Sequence, residues 1–195
     1  MKTYNDLLTM AGRTDEEGVL AVRGGSHVYG TAHEGSDEDY VMVVKRGKDD
    51  LLFKDGCNVT IRSSESFMRA LEEHNIFTLE CLFAPKEHTL KATKVFKWQP
   101  NWAGIAVSAI AKSTSDFLKA TRGEMDAKNK KRLWHSVRVL TFARQLQVSH
   151  AITDYGAENE MYWDVMTDPS GNPDDYVNKW GPVRDQRLSQ VETKP

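Results

Sequence analysis

Apolar and polar positions follow two different periods along this chain, and the change of period divides it. In the N-terminal half the apolar runs are short and bounded by turn residues. Val19 to Val22 leads through Arg23 into Gly24-Gly25-Ser26, which predicts a strand ending in a tight turn, because paired glycines accept positive φ. Tyr40 to Val44 is aromatic and β-branched and predicts a second strand over 39–45. Leu51 to Lys54 and Asn58 to Arg62 flank Asp55-Gly56, a strong hairpin signal. Ahead of these strands, Met1 to Met10 predicts a short helix with Tyr4, Leu7 and Leu8 on one side. Behind them, Ser63 or Ser64 can cap a helical stretch. Its apolar residues Phe67, Met68, Leu71, Ile76 and Leu79 to Phe83 predict two pieces, broken near Asn75 and ended by Ala84-Pro85.

From Lys86 onward the pattern turns helical. Ile105, Ala109, Phe117 and Leu118 fit one helix, and Lys130 to Val148 another, with Leu133, Val137 and Leu140 on a shared face. At ~100° per residue, Lys131, His135 and Arg138 fall within about 60° of arc opposite that stripe, so they are expected on the polar face. Pro169-Ser170-Gly171-Asn172-Pro173 predicts a turn-rich, loosely packed tail, although Tyr176 and Trp180 within it can dock. The expected organisation is α/β in the α+β sense. A small mixed-sheet domain covers 1–95, a helical lobe 96–167 and the tail 168–195.

Composition narrows the setting without choosing a function. The 195 residues are 39% hydrophobic and 28% charged, which suits an ordinary soluble fold of one domain or two small ones. A formal net charge of −2 gives no global attraction to nucleic acid, so such a contact needs a local basic patch. Cys57 and Cys81 are too few for a disulfide framework, and MKTYNDLLTM lacks the apolar run of a signal peptide. The weakly polar run Trp102 to Ala111 is too short to span a bilayer. A cytoplasmic protein with no membrane segment is expected.

The candidate chemistry gathers in 23–44. At Gly25 the missing Cβ lets backbone N–H groups approach a phosphate, and the Ser26 hydroxyl adds a donor there. Asp37 and Asp39 open the next strand, where residues two apart share a face, so their carboxylates are expected to converge while Glu38 points away. Mg²⁺ is commonly held by one or two carboxylates, with phosphate oxygens and water completing its shell.

Taken together, Gly25-Ser26-x-x-Tyr29-Gly30-Thr31 followed by Ser36-Asp37-x-Asp39 resembles the signature of the polymerase-β-like nucleotidyltransferases. Within that superfamily it looks like a bacterial and phage branch often associated with RNA repair. The resemblance extends to Asn75-x-x-Thr78-Leu79-Glu80-Cys81-Leu82-Phe83-Ala84-Pro85 and to Lys131-x-x-x-His135-x-x-Arg138-x-Leu140, covering roughly 19–147. It implies catalytic and metal-holding roles for Asp37 and Asp39. It further implies nucleotide-binding roles for Gly25, Ser26, Tyr29, Gly30, Ser36, Lys131, His135 and Arg138. The cofactor implied is Mg²⁺, with Mn²⁺ as a substitute. The partner implied is a nucleoside triphosphate, with RNA, a protein or a small molecule as acceptor. Arg can grip phosphate through paired hydrogen bonds, Lys adds a point charge, and protonated His another donor.

In one respect the sequence departs from the pattern. The family places a third carboxylate before a Val-Thr-Val-like run some nine residues ahead of a helical Phe, and counting back from Phe67 reaches Asn58, before Val59-Thr60-Ile61. Asn58 can offer Mg²⁺ a carbonyl oxygen but carries no charge and is a poor base. Glu80 is a second candidate for the missing carboxylate. The rival expectation is a nucleotide- or partner-binding protein that keeps the fold with catalysis impaired.

Overall fold

The computed structural model describes residues 1–94 and 96–192, with the backbone alone at 192. Residue 95, the expected domain boundary, and 193–195 of the expected tail lie outside the described residues. The fold is α+β and divides into two compact units. The first comprises Met1–Glu73 and Phe77–Gln99, and the second comprises His74–Ile76 and Pro100–Pro195.

The first unit is built on a five-stranded sheet in the order β3-β4-β2-β1-β5. Its strands are β1 (Gly18–Gly24), β2 (Glu38–Val44), β3 (Asp50–Lys54), β4 (Cys57–Ser63) and β5 (Thr89–Ala92). β2 and β4 run parallel, and the other pairings are antiparallel. Helix α1 (Tyr4–Ala11) covers one face. There Leu7 and Leu8 join Ala21, Tyr40, Met42, Val44, Cys57, Val59 and Ile61 in a buried cluster. The alternating burial along β4 follows directly from the strand period. Helix α3 (Ser64–Glu72) packs against β2 and β4, burying Phe67 and Leu71. Its start is set by Ser63, whose side chain accepts from the Ser66 N–H at 3.1 Å. Helix α4 (Ile76–Leu82) follows with Leu79 fully buried.

The apolar pattern predicts no strand after Lys86, yet β5 is one. Thr89–Ala92 is too short for its period to register. It is held by pairing with β1 and by the Thr93 N–H, which donates to the Val19 carbonyl at 2.9 Å.

The second unit contains α5 (Trp102–Ala120), α6 (Ala127–Ser149), α7 (Asn159–Thr167) and α8 (Pro173–Glu192). α6 is its axis, in contact with α5, α7 and α8. Leu133, Trp134, Ser136, Val137, Arg138, Val139 and Leu140 are all buried, and half-buried His135 is the one residue of this stretch that reaches solvent. Glu158 ties the bundle together. Its carbonyl accepts from Trp134 Nε1 at 2.8 Å, and its carboxylate accepts from Thr141 at 2.5 Å and Arg187 at 2.9 Å.

The tail expected to be loose is instead the 20-residue helix α8, with Tyr176, Trp180 and Val191 buried. The Pro-rich segment misleads because Pro173 stands at the first helical position, where a missing N–H costs nothing and its fixed φ already fits. Asp174 and Asp175 in the first turn favour the positive end of the helix dipole. Among the described residues no helix is long and apolar enough to cross a membrane.

Candidate functional site

The register of the sheet sets the site in the first unit. β2 starts at Glu38, so Asp37 is the exposed residue just before the strand and Asp39 the second residue within it. On one side Gly24 of β1 pairs with Asp39, and on the other Asn58 of β4 pairs with Asp39 in the parallel ladder. Paired residues share a face, which brings Asn58 Nδ2 to donate to Asp39 Oδ1 at 2.9 Å. Asn58 thus lies on the strand beside β2, in direct contact with Asp39.

Gly25 leaves β1 with φ 65° and ψ −155°, a region that is essentially glycine's alone. A Cβ built there would overlap the Asp39 carboxylate, 2.8 Å from Cγ and closer still to Oδ2. The glycine therefore makes room for the Asp39 carboxylate itself, on the side of Oδ2, the oxygen that Asn58 does not hold. A one-turn helix, α2 (Ser26–Tyr29), follows at once. The Val28 and Tyr29 N–H groups donate to the Gly25 carbonyl at 3.0 and 3.2 Å, and Thr31 N–H donates to the Ser26 carbonyl at 2.9 Å. Gly30 closes the turn in the left-handed region at φ 76°.

Glu38 points to the opposite face, as strand alternation requires. Its carboxylate pairs with Arg23 at 2.9 Å and with the N-terminal ammonium at 3.1 Å, and it accepts from the Tyr40 hydroxyl at 3.2 Å. Burial works against its ionisation, but the N-terminal ammonium and Arg23 outweigh it and hold the carboxyl below its ordinary value.

Several expected residues have structural work. The Tyr29 hydroxyl donates to Glu80 at 2.5 Å, and both side chains are buried, so this pair fastens α2 to α4. Glu80 thereby has a buried partner of its own in Tyr29. Ser36 accepts from the His33 N–H at 2.9 Å and shapes the loop before β2. His27, passed over in the sequence pattern, belongs beside the site. Its imidazole is depressed by burial and by Arg23, while Glu38 and Asp39 pull the other way. Its Nε2 is buried without a hydrogen-bond partner among the described residues. The variable position between Ser26 and Tyr29 carries no sequence signal for it.

Lys131, His135 and Arg138 lie in the second unit. Lys131 is exposed, but Arg138 is buried, its guanidinium 4.9 Å from the ring centres of both Trp134 and Phe142. The expected polar face is corrected here, because α6 is packed from several sides and its cation has been taken inside against aromatic faces. His135 is half-buried and lies 4.7 Å from the Trp134 ring. Desolvation, followed by Arg138, Lys131 and Lys112, holds its imidazole well below the usual histidine value. Lys112 of α5 is itself paired with Asp116 at 2.5 Å.

Among the described residues no group of three or more His, Cys, Asp or Glu side chains is placed to hold a metal, so the donor set at β2–β4 is carboxylate plus amide. Such hard oxygens are of the kind that Mg²⁺ takes, with phosphate and water completing its shell. Compared with known proteins, the chain matches no family model and no curated protein.

Proposed function

We propose that this protein is a Mg²⁺-dependent nucleotidyltransferase, moving a nucleoside monophosphate from a nucleoside triphosphate to an RNA, protein or small-molecule acceptor. The observation that carries the reading is the Gly25–Asp39–Asn58 arrangement. A strand-borne carboxylate is oriented by its neighbour in the parallel ladder and approached by a side-chain-free turn. Asp39, with Asp37 at the strand entrance, supplies hard oxygen ligands, and Asn58 fixes the rotamer of Asp39. Bound Mg²⁺ would polarise the α-phosphate and offset charge on the departing pyrophosphate. The Gly25-Ser26 turn would receive the phosphates. Chemistry of this kind depends on positioning and electrostatics, so few reactive side chains are needed.

A second reading is favoured by one specific feature. Where a third carboxylate would accept the acceptor hydroxyl's proton, Asn58 presents an amide whose N–H already points at Asp39. A binding protein with impaired transfer fits that substitution. Incubation with α-labelled ATP, GTP, CTP or UTP and Mg²⁺ tests transfer, and the shift of melting temperature by the same nucleotides tests binding. Asp39→Ala is expected to abolish the Mg²⁺-dependent part of either signal. Glu38→Ala should lower stability and leave the signal, since its carboxylate serves Arg23 and the N-terminus. Binding without transfer selects the second reading, and equal loss of binding in both variants removes the site.

A further inference from the structure

The open edge of the sheet at β3 carries an apolar surface of defined symmetry. Among the described residues β3 pairs with β4 alone and is the outer strand. Phe53 is 70% exposed and Leu51 48%, although both lie in the middle of a paired strand. An outer strand is ordinarily protected by charges along its length. Here the charges stand only at the two ends, as exposed Asp50 and Lys54.

The edge is also held firm. At its entrance Asp49 accepts from the Ser63 N–H at 2.9 Å and the Ser66 hydroxyl at 2.7 Å, and its carboxylate lies 3.5 Å from Arg62. At its exit Asp55 and Gly56 make a two-residue turn with φ 51° and 67°, the twist that antiparallel hairpins prefer. In such a hairpin the residues flanking the turn, Lys54 and Cys57, form a hydrogen-bonded pair. Alternation then directs the backbone of Leu52 and Asp50 toward β4, and that of Leu51 and Phe53 toward the open edge. The Leu51 N–H accordingly finds no ladder partner and donates to the Asp50 side chain at 2.8 Å.

We propose that β3 is a self-association edge, which pairs antiparallel with β3 of a second copy about a two-fold axis at Leu52. That register sets Leu51 against Phe53 of the partner subunit, with each pair exchanging N–H···O bonds, and Asp50 against Lys54 of the partner subunit. The sequence Asp-Leu-Leu-Phe-Lys is thus complementary to itself when reversed: opposite charges meet at both ends and apolar side chains meet on one face. Parallel pairing in register would set Asp50 against Asp50 of the partner subunit and Lys54 against Lys54 of the partner subunit, which like-charge repulsion opposes. The antiparallel dimer joins the two sheets into one, pairing the outward backbone groups of Leu51 and Phe53 and exchanging the Leu51 N–H bond to its own Asp50 for one across the axis. A five-residue edge buries less than the ~1,200 Å² usual for stable complexes, so the dimer is expected to dissociate on dilution.

Sedimentation of the full chain over a concentration series tests the proposal, with circular dichroism melting to show that each variant is folded. Wild type is expected to pass from monomer to dimer. Phe53→Lys should remain monomeric. Asp50→Lys and Lys54→Asp should each weaken association by on the order of tenfold, because each creates like-charge pairs at both ends. The double variant Asp50→Lys/Lys54→Asp should regain wild-type association. Wild type that stays monomeric at every concentration, leaving the edge to a strand from another protein, overturns the proposal. So does a dimer indifferent to Phe53→Lys, or a charge swap that fails to restore association.

Discussion

The two units treat their polar residues in opposite ways. In the first, Asp39 and Asn58 sit on the face of a sheet whose strand alternation is regular, and their placement follows from counting residues. In the second, Arg138 lies on a helix that is packed from several sides, and counting residues puts it on the wrong side. A strand within a known sheet has two faces, so one buried residue fixes the rest. A helix has a continuous circumference, and an apolar stripe says where one neighbour lies but not how many neighbours there are. Along α6 the true signal was Trp134, Val139 and Phe142, apolar residues off the stripe that require packing partners of their own.

The largest expected effect breaks the comparison from the helical side. Arg138→Glu replaces a buried guanidinium between two rings with a buried carboxylate and should cost about 3–5 kcal/mol in chemical denaturation. Lys131→Glu, about two turns earlier and exposed, should change stability by no more than ~0.5 kcal/mol. Similar small costs for both would return Arg138 to the polar face that the helical period predicts.

On the sheet side, Gly24 and Gly25 are adjacent and differ in what a Cβ would meet. Gly25→Ala is strained at its φ and overlaps the Asp39 carboxylate, for a cost of about 1–3 kcal/mol and loss of Mg²⁺-dependent nucleotide binding. At Gly24 the nearest atom is 4.0 Å away, so Gly24→Ala should be close to neutral in both measurements. Equal effects would mean that the turn responds to general stiffness rather than to the space beside Asp39.

A smaller stability effect and a larger chemical one are expected at Asn58. Asn58→Asp turns a hydrogen bond to Asp39 into a like-charge contact, for a loss of about 1 kcal/mol in chelator. Mg²⁺ should reverse that loss. A restored base can also raise transfer by ~10²- to 10⁴-fold over a slow wild type. If neither quantity moves, Asn58 serves only as a spacer in the ladder.

Asp39 was legible because the strand period is local, whereas Asn58 was reached only through the family resemblance, by counting back from Phe67. The short helix at the N-terminus, the Asp55-Gly56 hairpin and the break near Asn75 were readable, like Asp39, from local pattern. β5 was not, since four residues hold no period and only β1 makes them a strand. The helix α8 was hidden by Pro173, because a proline can either break a helix or begin one, and only the packing of Tyr176 and Trp180 decides between them. Nor could the sequence show that the Tyr29 hydroxyl is engaged by Glu80, a contact between residues far apart along the chain.

The smallest expected effect concerns protons and sharpens the comparison within α6. Desolvation, then Arg138, Lys131 and Lys112, lowers the proton affinity of folded His135 below its ordinary 6.5. In the unfolded chain that imidazole takes up its proton near 6.5, so the unfolded state binds more protons between the two values. Stability from neutral His135 is therefore fully present above 6.5 and falls away as pH drops toward the folded value. His135→Gln should flatten this part of the stability–pH curve. Loss from Glu38, also depressed in the folded state, begins only below its ordinary 4.5, so the two can be told apart by window. A polyphosphate bound at exposed Lys131 would offset one of the cations that depress the imidazole and raise its titration midpoint. Following the His135 ring protons by NMR with and without added pyrophosphate reads both effects. A midpoint at the ordinary value without ligand would contradict the buried cationic setting. A depressed midpoint that pyrophosphate leaves unmoved would confine the cluster to a packing role.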